Sequence, residues 1–128
     1  MSRRPSHGST TVRGAAAEEL AADYLRNEGY RIVARNHRCA GGELDLVAWD
    51  GDILCFIEVR SRASDAFGDP LETITPQKIR RVVRAARDYL EGVRGPLPEM
   101  RFDAVGIVIN DPDEPPRITL VRGAFDAS

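Results

Sequence analysis

Three things are scarce in this sequence, and each absence excludes something. Long apolar runs come first: none approaches the roughly 18–20 residues that a membrane-spanning helix needs. The opening "MSRRPSHGSTTVRG" also lacks the apolar centre of a secretory signal. The expectation is a cytoplasmic protein with no membrane partner. Cysteine comes second. Cys39 and Cys55 show no CxxC spacing and no metal-ligand pattern. Cys55 lies in an apolar segment and reads as a small core residue, not a catalytic thiol. Lysine comes third, with seventeen arginines but only Lys78. Arginine keeps its proton at any ordinary pH and cannot act as a base.

What remains is ordinary for a soluble globular chain. Its 128 residues suit one domain, and 42% hydrophobic with 30% charged residues is a typical balance. The net charge of −2 argues against indiscriminate binding to polyanions, but its distribution argues otherwise. Residues 41–75 carry eight acids against Arg60 and Arg62, and residues 76–94 carry six bases against Asp88 and Glu91. An acidic centre beside a basic segment can hold metal ions next to a polyanion; solvated charged faces are the plainer alternative.

Residues 1–12, rich in Pro, Gly, Ser and Thr, read as a disordered tail, and 13–128 as a single domain. Ala17, Leu20, Ala21, Tyr24 and Leu25 recur at helical spacing, and Gly29 ends that helix from Gly14 to Glu28. "YRIVARN" reads as a strand and "HRCAGG" as a loop. Residues 44–49 and 53–60 form two strands about Asp50-Gly51, a strong hairpin signal. "SRASDAFGDPLETIT" is a loop. Thr75-Pro76 caps a second helix that buries Ile79, Val82, Val83, Ala86 and Leu90. "RFDAVGIVI" and "RITLV" are the last strands. The order α-β-β-β-α-β-β indicates a mixed sheet packed with helices.

The hairpin is where the chemistry concentrates. Glu43, Asp45 and Glu58 are threaded through apolar strands, although an unpaired buried charge costs several kcal/mol or more. Alternation puts Glu43, Asp45 and Val47 on one face, opposite Leu44 and Leu46. On the returning strand it puts Phe56, Glu58 and Arg60 on one face. Asp45 and Glu58 can then face each other, which is unfavourable unless a proton or cation lies between them. A hard divalent cation is the natural partner, with salt bridges to Arg38, Arg60 or Arg62 as the alternative. Glu18, at the edge of the first helix's apolar stripe, is placed to look toward the same acids, with a flanking surface acid as the alternative, while Glu43 is more peripheral. Gln77 and Lys78 open the second helix, whose first turn favours phosphate. Arg80, Arg84 and Arg87 line one of its faces and form a candidate nucleic-acid contact strip. His37 reads as a loop residue, and His7 falls in the tail.

These stretches resemble a known pattern. An acid on one strand, a hairpin, then Glu-x-Lys on the next is the arrangement of the PD-(D/E)XK, restriction-endonuclease-like nucleases. "AEELAADYL", "GYRIVARNHR", "GGELDLVAWDGDILCFIEVRSR", "FGDPLETITPQKIRR" and "RFDAVGI" together resemble the YraN-like family of small bacterial proteins over about residues 14–109. The resemblance implies a restriction-endonuclease-like α/β core with helices flanking a mixed sheet. It also implies Mg²⁺ or Mn²⁺ held by Glu18, Asp45 and Glu58, and hydrolysis of DNA or RNA. Two positions depart from the pattern. Ala17 replaces a glycine before the helical Glu, and Arg60 replaces the motif lysine. Arg60 can stabilise charge on a phosphate but cannot take a proton. A nuclease-fold module that binds nucleic acid without cutting it, or a protein adaptor using the basic helix, are the alternatives.

Overall fold

Each strong local signal in the chain is answered by an element in the computed structural model, which describes residues 5–63, 68–109 and 113–127, with side chains from Gly14 onward. Helix α1 spans Pro5–Asn27, followed by strands β1 (Arg31–Cys39), β2 (Gly42–Asp50) and β3 (Ile53–Arg62). A short 3₁₀ helix, Pro70–Thr73, precedes helix α2 (Pro76–Leu90), and β4 (Glu99–Val108) and β5 (Arg117–Phe125) complete the chain. Of the tail expected over 1–12, residues 1–4 and the side chains of 5–12, His7 included, lie outside the described residues.

The strands form one sheet in the order β1-β2-β3-β4-β5. All neighbours are antiparallel except β3 and β4. A parallel pair needs a long crossover, and α2 supplies it. Helix α1 covers one face through Ala17, Ala21 and Leu25, packed on Leu46, Ala48, Ile57 and Val105. Helix α2 covers the other through Val82, Ala85 and Ala86, packed on Leu44, Val47 and Phe56. This is the α/β fold that the element order indicates, with helices on both sides of a mixed sheet.

Two segments differ from the expected loops. "HRCAGG" is a tight hairpin: β1 runs through Cys39 and β2 resumes at Gly42. Gly41 turns the chain at φ 78°. Gly42 passes directly under α2, where a Cβ would stand 2.6 Å from the Arg81 carbonyl oxygen and 2.8 Å from Ala85 N. The polar, two-sided end of a hairpin has no apolar alternation to reveal it. The 3₁₀ helix is held by a reciprocal capping box. The Asp69 carboxylate accepts from Leu71 N at 2.9 Å, and the Glu72 carboxylate accepts from Asp69 N at 3.0 Å. Asp-x-x-Glu is the signature of that box, and it lies here inside a run otherwise rich in turn residues.

The face alternation expected for β2 breaks at Asp45. Leu44 packs in the α2-side core, whereas Leu46 packs in the α1-side core. The cause lies across the hairpin. Arg35 pairs with Leu46 and His37 with Leu44, so Asn36 stands opposite Asp45. Asn36 has φ 51°, the one non-glycine residue in the left-handed region among those described. Asn tolerates that conformation better than most side chains. The kink turns the end of the hairpin over, and the β2–β3 ladder begins only at Leu46–Ile57.

Candidate functional site

At the kink β2 parts from β3, and Asp45 fills the gap. Its Oδ2 accepts a hydrogen bond from Val59 N at 2.7 Å, so a side chain satisfies a backbone donor that the ladder leaves open. Glu58, one residue earlier on β3, is 7% exposed. The two carboxyl groups lie close enough for each to shift the other's titration. Two charges that close repel unless a proton or a cation lies between them. Burial, then the Glu58 charge, pushes the Asp45 carboxyl far above the ordinary carboxylate range. Burial also raises Glu58, partly offset by Asp45, Arg60 and Lys78.

Glu18 reaches this region from α1, on the other side of the sheet. Its carboxyl is raised by burial and then by the Asp45 charge, while a hydrogen bond with the Asn36 side chain lowers it. Among the described residues, no three His, Cys, Asp or Glu side chains gather closely enough to hold one ion by themselves. Asp45 and Glu58 form a pair, and Glu18 flanks it, turned toward Asn36. Glu43 lies further out, bonded to Arg38 Nε at 3.2 Å. Arg60 leans back over β3. Its Nη1 lies 3.5 Å from Glu58 Oε2, and its Nε donates to Thr73 Oγ1 at 2.8 Å.

The sequence pattern described as "Uncharacterised protein family UPF0102" matches residues 17–107, which include Glu18, Asp45, Glu58 and Arg60. The chain belongs to the UPF0102 family. A UPF0102 protein of Anaeromyxobacter sp. (strain Fw109-5) is 45% identical over 119 residues, 93% of this chain and 88% of that relative. A UPF0102 protein of Chlorobium limicola is 45% identical over 100 residues, 78% of each chain. One of Cupriavidus taiwanensis is 46% identical over 121 residues, 93% of this chain and 86% of its own.

In this UPF0102 chain the carboxylate pair opens into a small cavity of about 120 Å³, lined by Glu43, Asp45, Glu58, Val59, Arg60, Lys78, Arg81 and Val82. The basic strip expected on α2 is thereby divided. Lys78 lies in the acid cavity, joined by Arg81, a residue the strip did not include. Gln77 is exposed beside them. Arg80, Arg84 and Arg87 turn instead to another groove of about 650 Å³, with Ile79, Val83 and Phe125 among its walls. Successive helical residues are about 100° apart, so Arg80 and Arg81 serve different flanks.

Asn36 and Thr73 are the residues that sequence reasoning passed over. The left-handed Asn left no pattern, and Thr73 had only its place in the Asp-x-x-Glu capped segment to mark it. His37 is not a loop residue. It sits on β1 with Nε2 2.8 Å from Asp88 Oδ2, and its ring meets Tyr89 edge-on at 5.3 Å. Cys55 is fully buried, and its thiol is pushed up to about 12 by burial and then by Asp103. Among the described residues, no helix is long and apolar enough to cross a membrane.

Proposed function

We propose that this chain is a metal-dependent phosphodiesterase acting on nucleic acid. The observation that carries the reading is the Asp45–Glu58 pair, a half-buried and a buried carboxyl in a cavity rimmed by Arg60, Lys78 and Arg81. A divalent cation between the two carboxylates would relieve their repulsion. Mg²⁺ commonly uses one or two carboxylates and keeps several waters. Asp45 and Glu58 meet that need without Glu18, and the cavity has room for a few waters at roughly 30 Å³ each. When bound, the ion would polarise a phosphoryl oxygen and lower the pKa of an attacking water.

The chain's own residues do the rest. Asp45 is fixed by Val59 N, so its second oxygen keeps one direction. Arg60 stabilises charge building on the phosphate; holding its proton, it leaves water activation to the ion. Lys78 and Arg81 draw the anionic backbone toward the pair. The test is cleavage of branched, single-stranded and duplex DNA and RNA with Mg²⁺ or Mn²⁺. The expected result is cleavage that chelator removes and that falls by about 10³-fold or more in Asp45→Ala. Absence of cleavage on every substrate, or full activity in Asp45→Ala, overturns the reading.

A second reading, a binding module or adaptor, draws on a different observation. Arg80, Arg84 and Arg87 rim a groove with apolar walls that shares no residue with the acid cavity. Such a groove suits an anionic partner with apolar side chains. The triple substitution of these arginines by alanine is expected to leave cleavage rates within about twofold. If it instead weakens nucleic-acid binding and flattens its salt dependence, the strip is a phosphate track after all. A filter-binding titration at several salt concentrations separates the two.

A further inference from the structure

We propose that Thr73 is the positioning residue for Arg60, and that the capped segment Asp69–Thr73 is a bracket that lets an arginine work where the nuclease motif has lysine. The inference rests on the phosphodiesterase reading for its consequence, but its geometry is that of this chain alone. A lysine ammonium is a point charge on a flexible stem and needs little orientation. A guanidinium is a planar fork, useful to a phosphate only when its plane is set.

The plane is set from behind. Arg60 Nε donates to Thr73 Oγ1 at 2.8 Å, and Thr73 Oγ1 donates to the Pro70 carbonyl oxygen at 2.7 Å. The hydroxyl has one proton. Committed to Pro70, it can present only a lone pair to Arg60. Pro70 lies inside the segment closed by the Asp69–Glu72 capping box. The segment is also docked onto the sheet: Leu71 packs over Gly106, where an added Cβ would lie 3.0 Å from Leu71 Cγ. Gly106 pairs with Arg60 across the β3–β4 ladder, so the bracket and the arginine share one level of the sheet.

With Nε tied back, Nη1 points toward Glu58 at the loose distance of 3.5 Å, and the Arg60 side chain stays 29% exposed. The firm bond is thus the one to Thr73. The contact on the catalytic side is weak enough to yield to a phosphate oxygen. A lysine at position 60 has no N–H at the depth of Nε, and Thr73 would have nothing to hold. Thr73 should therefore matter only when residue 60 is arginine.

The experiment compares Thr73→Val, which removes the hydroxyl at similar volume, with Thr73→Ser, which keeps it, in both the parent and Arg60→Lys. In ¹⁵N NMR of the full chain, the Arg60 Nε–H signal is expected to be protected from exchange in the parent and in Thr73→Ser. It should be lost in Thr73→Val, with the backbone spectrum outside residues 69–74 unchanged. In cleavage assays, Thr73→Val should lower kcat about tenfold with KM within about twofold, Thr73→Ser should stay near the parent, and Thr73→Val should change nothing in Arg60→Lys. A signal that survives Thr73→Val, or equal losses in the arginine and lysine backgrounds, overturns the proposal. If no variant cleaves any substrate, the phosphodiesterase reading falls by itself. The exchange measurement then decides alone whether Thr73 holds Arg60.

Discussion

In metal-free buffer the protein should lose stability as the pH rises from about 4 to about 8, and Asp45→Asn should remove most of that loss. The Asp45 carboxyl is raised from an ordinary 3.8 to about 8, first by burial and then by Glu58. The unfolded chain gives up this proton near pH 4, whereas the folded chain keeps it. Between those values the folded state binds more protons, so stability falls with rising pH. The contribution is fully present below the unfolded value and gone above the folded one. Glu58 and Glu18 are also raised and act with the same sign. The contribution is on the order of 3–5 kcal/mol. Asp45→Asn keeps an oxygen for Val59 N and removes the charge, so it should melt above the parent at pH 9 in chelator. Mg²⁺ or Mn²⁺ should close most of that difference. An ion that binds only the folded state adds about 2.7 kcal/mol at a hundred times its Kd, and the parent alone should gain it. Calorimetry at pH 5, 7 and 9, with chelator and with metal, checks both halves. Parallel pH profiles for the two proteins would mean that Asp45 carries no such proton.

How far this site could be read from sequence depends on the element that carries each residue. Strand β3 is regular, so alternation alone puts Phe56, Glu58 and Arg60 on one face, and the structure keeps Glu58 and Arg60 within 3.5 Å of each other. Strand β2 is not regular. Its kink depends on a left-handed Asn36 on the neighbouring strand, and no periodicity reports a single backbone angle. Asp45 still meets Glu58, but by leaving the ladder, not by facing it across one. Helix α2 was legible at its start, since Thr75 caps it by accepting from Lys78 N at 3.2 Å and Pro76 occupies the first turn. Which flank of the helix meets the acids was not legible, because a helical wheel fixes angles about the axis and not the docking of the axis on the sheet. That is why Arg81 joined the acid cavity and Arg80 did not. The 3₁₀ bracket was hidden for a related reason. Its residues favour turns individually, and only the tertiary bond to Arg60 gives Thr73 a task.

The largest loss of stability is expected on the neighbouring strand β4, where Asp103 pairs with Ile57, from Asp103→Ala. Asp103 lies fully buried on β4, at a bulge where Phe102 pairs with Phe125 but Ala104 already pairs with Val121. Its carboxylate gathers the groups that the bulge and its surroundings leave open. Tyr30 Oη donates to it at 2.7 Å, Arg101 Nε at 2.7 Å, and Gly123 N at 2.9 Å. Arg101 extends the network to Asp50 at 2.7 Å, at the β2–β3 turn, and Arg122 reaches Asp50 at 3.4 Å while stacking over the Tyr30 ring at 5.3 Å. Burial by itself would raise the Asp103 carboxyl, but the bonds from Arg101, Tyr30 and Gly123 outweigh it and hold the group below its ordinary value. Alanine leaves the Tyr30 hydroxyl and Gly123 N–H without their acceptor and the Arg101 guanidinium with Asp50 as its remaining carboxylate. Breaking a buried network of this kind costs about 3–5 kcal/mol. Asp103→Asn keeps one acceptor and should lose less. The sign with pH is the reverse of that at Asp45. A depressed carboxyl stabilises above its unfolded value and stops doing so as the pH falls through the folded one. The stability gap between the parent and Asp103→Asn, read from urea titrations, should therefore be wide at pH 7 and narrow below about pH 4. A gap that does not change with pH would assign the loss to packing and not to the buried charge.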